Sequence, residues 1–120
     1  MSNITRLDIS VYKHTIQVAK EVYQLTCTLP IQQRFVLTSQ LRRSIILICN
    51  SLTNISASDS KSAIKRNSEQ FICVYAEIKT QLKISLTLGN FTATELFDLD
   101  HSLDTIRQLC EGNLQAYTRN

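Results

Sequence analysis

Only three residues of this 120-residue chain, Pro30, Gly89 and Gly112, belong to the two types that routinely break or reverse a backbone. Tight turns draw on the positive φ of glycine and the fixed φ of proline. An all-β fold needs a turn of that kind about every eight to twelve residues. The chain is therefore restricted to a few long elements, and its apolar spacing says which.

The first segment runs from about residue 8 to 29. Val11, Val18, Val22, Leu25 and Leu29 recur at helical spacing, with Tyr12, Ile16, Ala19 and Tyr23 beside them and Lys13, Gln17, Lys20, Glu21 and Gln24 opposite. Pro30 disfavours helix at Leu29 and closes the segment there. The second segment, about 33–55, carries Leu37, Leu41, Ile45, Ile48, Leu52 and Ile55 on one stripe. Its run from Ile45 to Cys49 could also read as a buried strand, but the length and outer periodicity favour helix. As helix, it aims Ile46 and Leu47 away from the stripe. A helix apolar almost all round needs cover on more than one side, which in so small a bundle points to another subunit.

The polar stretch Ser56-Ala-Ser-Asp-Ser60 supplies a turn and an N-cap. A third helix follows over about 60–88, with Ile64, Phe71, Tyr75, Ile78, Leu82 and Leu86 inward and Gly89 at the place of a left-handed C-cap. Thr92-Ala-Thr-Glu95 is a capping-box pattern and opens a fourth helix over about 93–117. Leu96, Leu99, Leu103, Ile106 and Cys110 give it the cleanest heptad in the chain. Four amphipathic helices on short connections predict an all-α, antiparallel up-down-up-down four-helix bundle. One domain over residues 1–120 is expected, with residues 1–6 a frayed N-terminus.

The N-terminal MSNITRLDIS lacks an apolar core of signal-peptide length, and the longest apolar run, Ile45 to Cys49, is far short of a membrane span. A cytoplasmic protein is expected. There Cys27, Cys49, Cys73 and Cys110, which form no CxxC pair, should act as four separate thiols packed as small core hydrophobes. The formal net charge is +3, unevenly spread: residues 1–90 hold eleven Lys/Arg against five Asp/Glu, and residues 91–120 hold two against five. An acidic last helix thus sits on a basic body.

Catalytic chemistry finds little support. His14 and His101 are the two groups able to act as bases near neutrality with an unshifted pKa. Asp98-Leu-Asp-His101 has the carboxylate-x-x-His spacing of bundle di-iron sites, but Asp98 and His101 fall off the apolar stripe and should face water. Two distant glycines cannot form a phosphate-cradling loop, and no nucleophile-elbow signature is present. No cofactor or metal is expected. The basic residues suggest more: Arg42 and Arg43 on the second helix, Lys61, Lys65 and Arg66 opening the third, and Lys79 and Lys83 further along it. They read as a solvated face or as a phosphate-binding surface with sequence-independent, salt-sensitive binding. No aromatics interleave with them, so single-strand stacking is not indicated.

The chain also resembles a family of small helical bundles, the intervening-sequence proteins encoded within 23S ribosomal RNA genes, together with the related accessory variability proteins of diversity-generating retroelements. The resemblance rests on Val11-Tyr-Lys-His14 leading into Ala19-Lys-Glu-Val-Tyr-Gln-Leu-Thr26 and Leu29-Pro30, then on Arg34-Phe-Val-Leu-Thr-Ser-Gln-Leu-Arg-Arg-Ser44. It continues in Ala76-Glu-Ile-Lys-Thr-Gln-Leu82 and Leu86-Thr-Leu-Gly89. Intervening-sequence proteins usually follow the paired arginines with Pro-Ser-Asn-Ile-Ala-Glu-Gly. Here Cys49-Asn-Ser-Leu-Thr-Asn-Ile55 has no Pro, Glu or Gly, as in the retroelement branch. The resemblance implies a ring-shaped homopentamer and, in the accessory branch, binding to a reverse transcriptase and its RNA.

The leading expectation is a non-enzymatic oligomeric adaptor that binds RNA, a reverse transcriptase or both through Arg42, Arg43, Lys61, Lys65, Arg66, Lys79 and Lys83, with Ile46 and Leu47 in the oligomer interface. The alternative is a protein-only scaffold whose basic residues pair with the acidic fourth helix of a neighbour.

Overall fold

The computed structural model describes the backbone of residues 9–30, 32 and 34–118, so the expected frayed segment 1–6 lies outside the described residues. Helix α1 spans Ile9–Thr26, a π-helical turn at Arg34–Thr38 leads into α2 at Ser39–Ala57, α3 spans Lys61–Thr87 and α4 spans Ala93–Thr118. The bundle extends 49 × 22 × 19 Å. α2 packs most extensively on α3, α1 packs on both α2 and α4, and α3 meets α4 more sparingly. The run from Ile45 to Cys49 lies within α2, settling the helix-or-strand choice for helix.

Each boundary has a local cause. α1 ends at Thr26, earlier than Pro30 alone requires. The N–H groups of Thr28 and Leu29 bond three residues back, to Leu25 and Thr26, and tighten the last turn. The Thr28 hydroxyl also donates to the Leu25 carbonyl at 2.7 Å. Ser60 caps α3 by accepting from the Ala63 N–H at 3.1 Å. At the far end of α3, Gly89 has φ of 77°, its N–H bonds to the Leu86 carbonyl, and the Asn90 N–H bonds to that of Ser85. That pair of bonds is a Schellman motif, and it places glycine where L-residues are strained. Three residues on, the capping box forms as expected: Glu95 Oε1 accepts from the Thr92 N–H at 2.8 Å, and Thr92 Oγ1 accepts from the Glu95 N–H at 3.1 Å.

The core contains Val11, Val18 and Val22 of α1, Leu41, Ile45, Ile48, Leu52 and Ile55 of α2, Phe71, Val74, Ile78 and Leu82 of α3, and every member of the α4 heptad from Leu96 to Cys110. Burying side chains of this size contributes about 1.5–3 kcal/mol each before the entropy of ordering is set against it.

Four expectations need correction. Leu86 is 43% exposed, because at the end of α3 the inward position passes to the small, buried Ser85. Ile16, read as part of the inner face of α1, is 68% exposed, because the buried positions Val11, Thr15, Val18 and Val22 run along another side of that helix. Leu47 is half-buried against the chain's own core, since α3 covers that side of α2, whereas Ile46 remains 44% exposed. The thiols also divide: Cys110 is buried, Cys49 is intermediate, and Cys27 and Cys73 are exposed.

Candidate basic surface

The seven cations do not form one surface, because the helices that carry them use two of the seven internally. Arg42 stands one turn into α2, where α1 ends. Its Nε donates to Thr26 Oγ1 at 3.0 Å, and its guanidinium lies 4.5 Å from the centroid of the Tyr23 ring. Thr26 is free to accept because its own hydroxyl donates to the Val22 carbonyl at 2.8 Å. Arg42 is therefore half-buried and staples α1 to α2, contrary to the expectation that it faces solvent.

Lys79 is the second internal cation. Its ammonium lies 2.5 Å from Asp100 and 3.0 Å from Asp104, both on α4 of the same chain. The Tyr75 hydroxyl, one turn earlier on α3, donates to Asp104, and the Arg107 guanidinium lies 5.3 Å from the centroid of the Tyr75 ring. These groups form a polar seam along the sparingly packed α3–α4 side. Burial alone would lower the Lys79 pKa, but its hydrogen bonds to Asp100 and Asp104 outweigh burial and raise it. The Asp104 carboxyl is held below the usual range, first by the Tyr75 hydroxyl and then by Lys79. The same surroundings raise Tyr75, chiefly by burial.

Arg43, Lys61, Lys65, Arg66 and Lys83 are exposed, and none of them joins an ion pair among the described residues. Lys61, Lys65 and Arg66 cluster in the first two turns of α3, which contains no carboxylate there. Such a cluster is uncomfortable beside the positive end of a helix dipole unless water or an anion screens it. Arg43 and Lys83 stand toward the other end of the α2–α3 hairpin.

The remaining candidates resolve plainly. Asp98 and His101 both face water, as their place off the heptad predicted, and the His101 ring stacks on Phe97 with centroids 6.5 Å apart. Among the described residues no group of three or more His, Cys, Asp and Glu is arranged to hold a metal ion. No helix described is long and apolar enough to cross a membrane. Burial pushes the Cys110 thiol up to about 12, so it stays protonated and inert.

Sequence reasoning grouped Lys79 with the exposed basic residues and missed the Tyr75–Lys79–Asp100–Asp104–Arg107 seam. The signal was available: Tyr75 and Lys79 are four apart, and Asp100, Asp104 and Arg107 follow at four and three, one face on each helix. What a single helix cannot show is that those two faces meet.

No curated protein matches the chain. The family of 23S rRNA-intervening sequence proteins matches it over residues 7–112, a span that takes in α1 to α3 and most of α4. The chain belongs to the 23S rRNA-intervening sequence protein family.

Proposed function

We propose that this protein is a non-enzymatic, homo-oligomeric adaptor that holds structured RNA by its phosphates, a pentamer being the assembly its family likeness suggests. A reverse transcriptase is the protein partner that fits if it belongs to the retroelement-accessory branch. The observation that carries this reading is that Arg43, Lys61, Lys65, Arg66 and Lys83 are exposed and join no ion pair among the described residues, while the other two of the seven cations are satisfied inside the fold. A chain that needed its positive charge only for internal pairing would not leave these five without an ion pair among the described residues while the acidic partners of the ion pairs described there, Asp100, Asp104 and Glu111, all lie on α4. Oligomerisation repeats the five sites around the assembly, so that weak phosphate contacts add through effective concentration.

The test is retention of structured RNA across a salt series. The wild-type protein binds with little sequence preference and releases the RNA at moderate salt. A variant with Arg43, Lys61, Lys65, Arg66 and Lys83 all changed to Gln binds more weakly on every sequence, with a flatter salt dependence and an unchanged helical spectrum. If the wild type retains no RNA at low salt, the nucleic-acid reading falls and a protein-only scaffold takes its place.

A further inference from the structure

Where α2 begins and α3 ends, an open cleft of about 520 Å³ lies between the two helices. That volume is within the range of small-molecule sites. One wall is the opening of α2, with Val36 and Leu37 in the π-helical turn and Gln40 just after it. Single π-helical turns are rare and recur at functional sites. The other wall is the end of α3 and its Schellman corner, with Gln81, Ile84, Leu88 and Asn90. Val36 is 73% exposed, Leu88 70% and Ile84 49%, so three large apolar side chains stand open at one small site.

The polar part of the lining is of one chemical kind. Gln32, Gln40, Gln81 and Asn90 are carboxamides, and no described residue of the lining is charged. None of the four side-chain amides bonds another described residue. Oε1 of Gln81 is shut from solvent with no donor, a costly state for a buried acceptor. Rotating the side chain carries its amide into the cleft it borders, where a ligand N–H satisfies it.

Spare amides among aliphatic groups suit a flat ligand with apolar faces and a polar edge of donors and acceptors, and a nucleobase has both. A carboxamide bonds adenine at N6–H and N7 together. Arg43, exposed and three residues beyond Gln40 on the same face of α2, offers a cation for the phosphate. Glu77, exposed four residues before Gln81 on α3, keeps that phosphate to the α2 side. No aromatic ring lines the cleft among the described residues, so the base is read by its edge and not stacked.

We propose that this cleft takes one unpaired base of the RNA, adenine ahead of the others, with the Gln81 amide on its edge, Val36 and Leu88 against its faces and Arg43 at the phosphate of the same nucleotide. Unpaired bases are the part of an RNA whose edges a protein reaches most readily. The inference rests on the RNA reading above and adds one base contact to phosphate contacts that carry no sequence information.

The test measures fluorescence anisotropy with three labelled RNA hairpins that share one stem: fully paired, with a single bulged adenine, and with a single bulged uridine. The wild-type chain binds the bulged-adenine hairpin about tenfold more tightly than the paired one, the size of one good bidentate contact, and the uridine hairpin in between. Gln81→Leu binds all three with the affinity of the paired stem. Val36→Ser, at a position too exposed to affect folding, loses most of the preference and keeps its affinity for the paired stem. Circular dichroism checks that both variants are helical. If the wild type binds the three hairpins equally, the base site is overturned and the phosphate reading stands. A preference that survives both variants also overturns it, since the bulge is then recognised elsewhere. If no hairpin is retained at low salt, the RNA reading itself falls and takes this site with it.

Discussion

Arg42 separates a structural cation from a functional one more sharply than any other residue here. In Arg42→Met the aliphatic stem keeps its packing while the charge and the donor are lost. The change removes a charge-assisted hydrogen bond at 3.0 Å to Thr26, two longer ones at 3.5 Å to the Tyr23 carbonyl and Cys27 Sγ that add little at that length, and a cation–π contact at 4.5 Å from the Tyr23 centroid. At a half-exposed site the first contributes about 1 kcal/mol and the cation–π contact about 0.5–1. Thr26 adds no further penalty, because its hydroxyl keeps its bond to Val22. The expected loss is about 1.5–2 kcal/mol, or about 6–8 °C in Tm for a chain between the small and mid-sized domains for which that scaling is known. Urea unfolding of Arg42→Met, Tyr23→Leu and the double variant should return a coupling of about 0.5–1 kcal/mol between the two side chains. RNA retention should hardly change. If Arg42→Met leaves stability untouched but weakens RNA binding as much as Arg43→Gln does, the assignment of Arg42 to the fold is refuted.

Two further perturbations probe the α3–α4 side. Gly89→Ala meets no atom within 4 Å of the new Cβ, so its cost is that of an L-residue at φ of 77°, about 1–2 kcal/mol, read as a lower urea midpoint with an unchanged slope. Asp104 has a lowered pKa, so the unfolded chain binds its proton more readily, and the seam's contribution is present above the ordinary carboxylate range and lost as pH falls through the folded value. Lys79 has a raised pKa, so its contribution is present below the ordinary lysine range and lost as pH rises through the folded value. Urea midpoints across pH should therefore fall off less steeply on the acid side in Asp104→Asn than in the wild type. Identical acid limbs would mean that the seam adds nothing.

The fold was largely legible because its signals are local. The α4 heptad, the Thr92/Glu95 box and the C-cap at Gly89 each depend on residues within one or two turns, and each appears where its spacing puts it. Periodicity was weaker on the edges of helical faces. A stripe gives the direction of the core but not its width, so Ile16 and Leu86 were drawn inward and Leu47 outward. The candidate site was half legible. Charge and position marked the cations, but whether a cation is free depends on what the neighbouring helix offers across the gap. Arg42 met a ring and a hydroxyl of α1, Lys79 met two carboxylates of α4, and Arg43, one residue from Arg42, met neither. The early end of α1 was hidden for a different reason: Pro30 marks where helix must stop, while the hydrogen bonding of Thr28 decides where it does.

The α3–α4 corner and the polar seam together act as two pins on one pair of helices. The corner satisfies the last carbonyls of α3 and the first N–H groups of α4 within a few residues. The seam fastens the same helices again through Tyr75, Lys79, Asp100 and Asp104. Between those fixings lies an open groove lined by Leu82, Leu86, Leu96 and Phe97, tied at both of its ends. A cleft shaped in advance asks little ordering of whatever fills it, so most of the apolar area covered there goes into affinity and not into rearrangement.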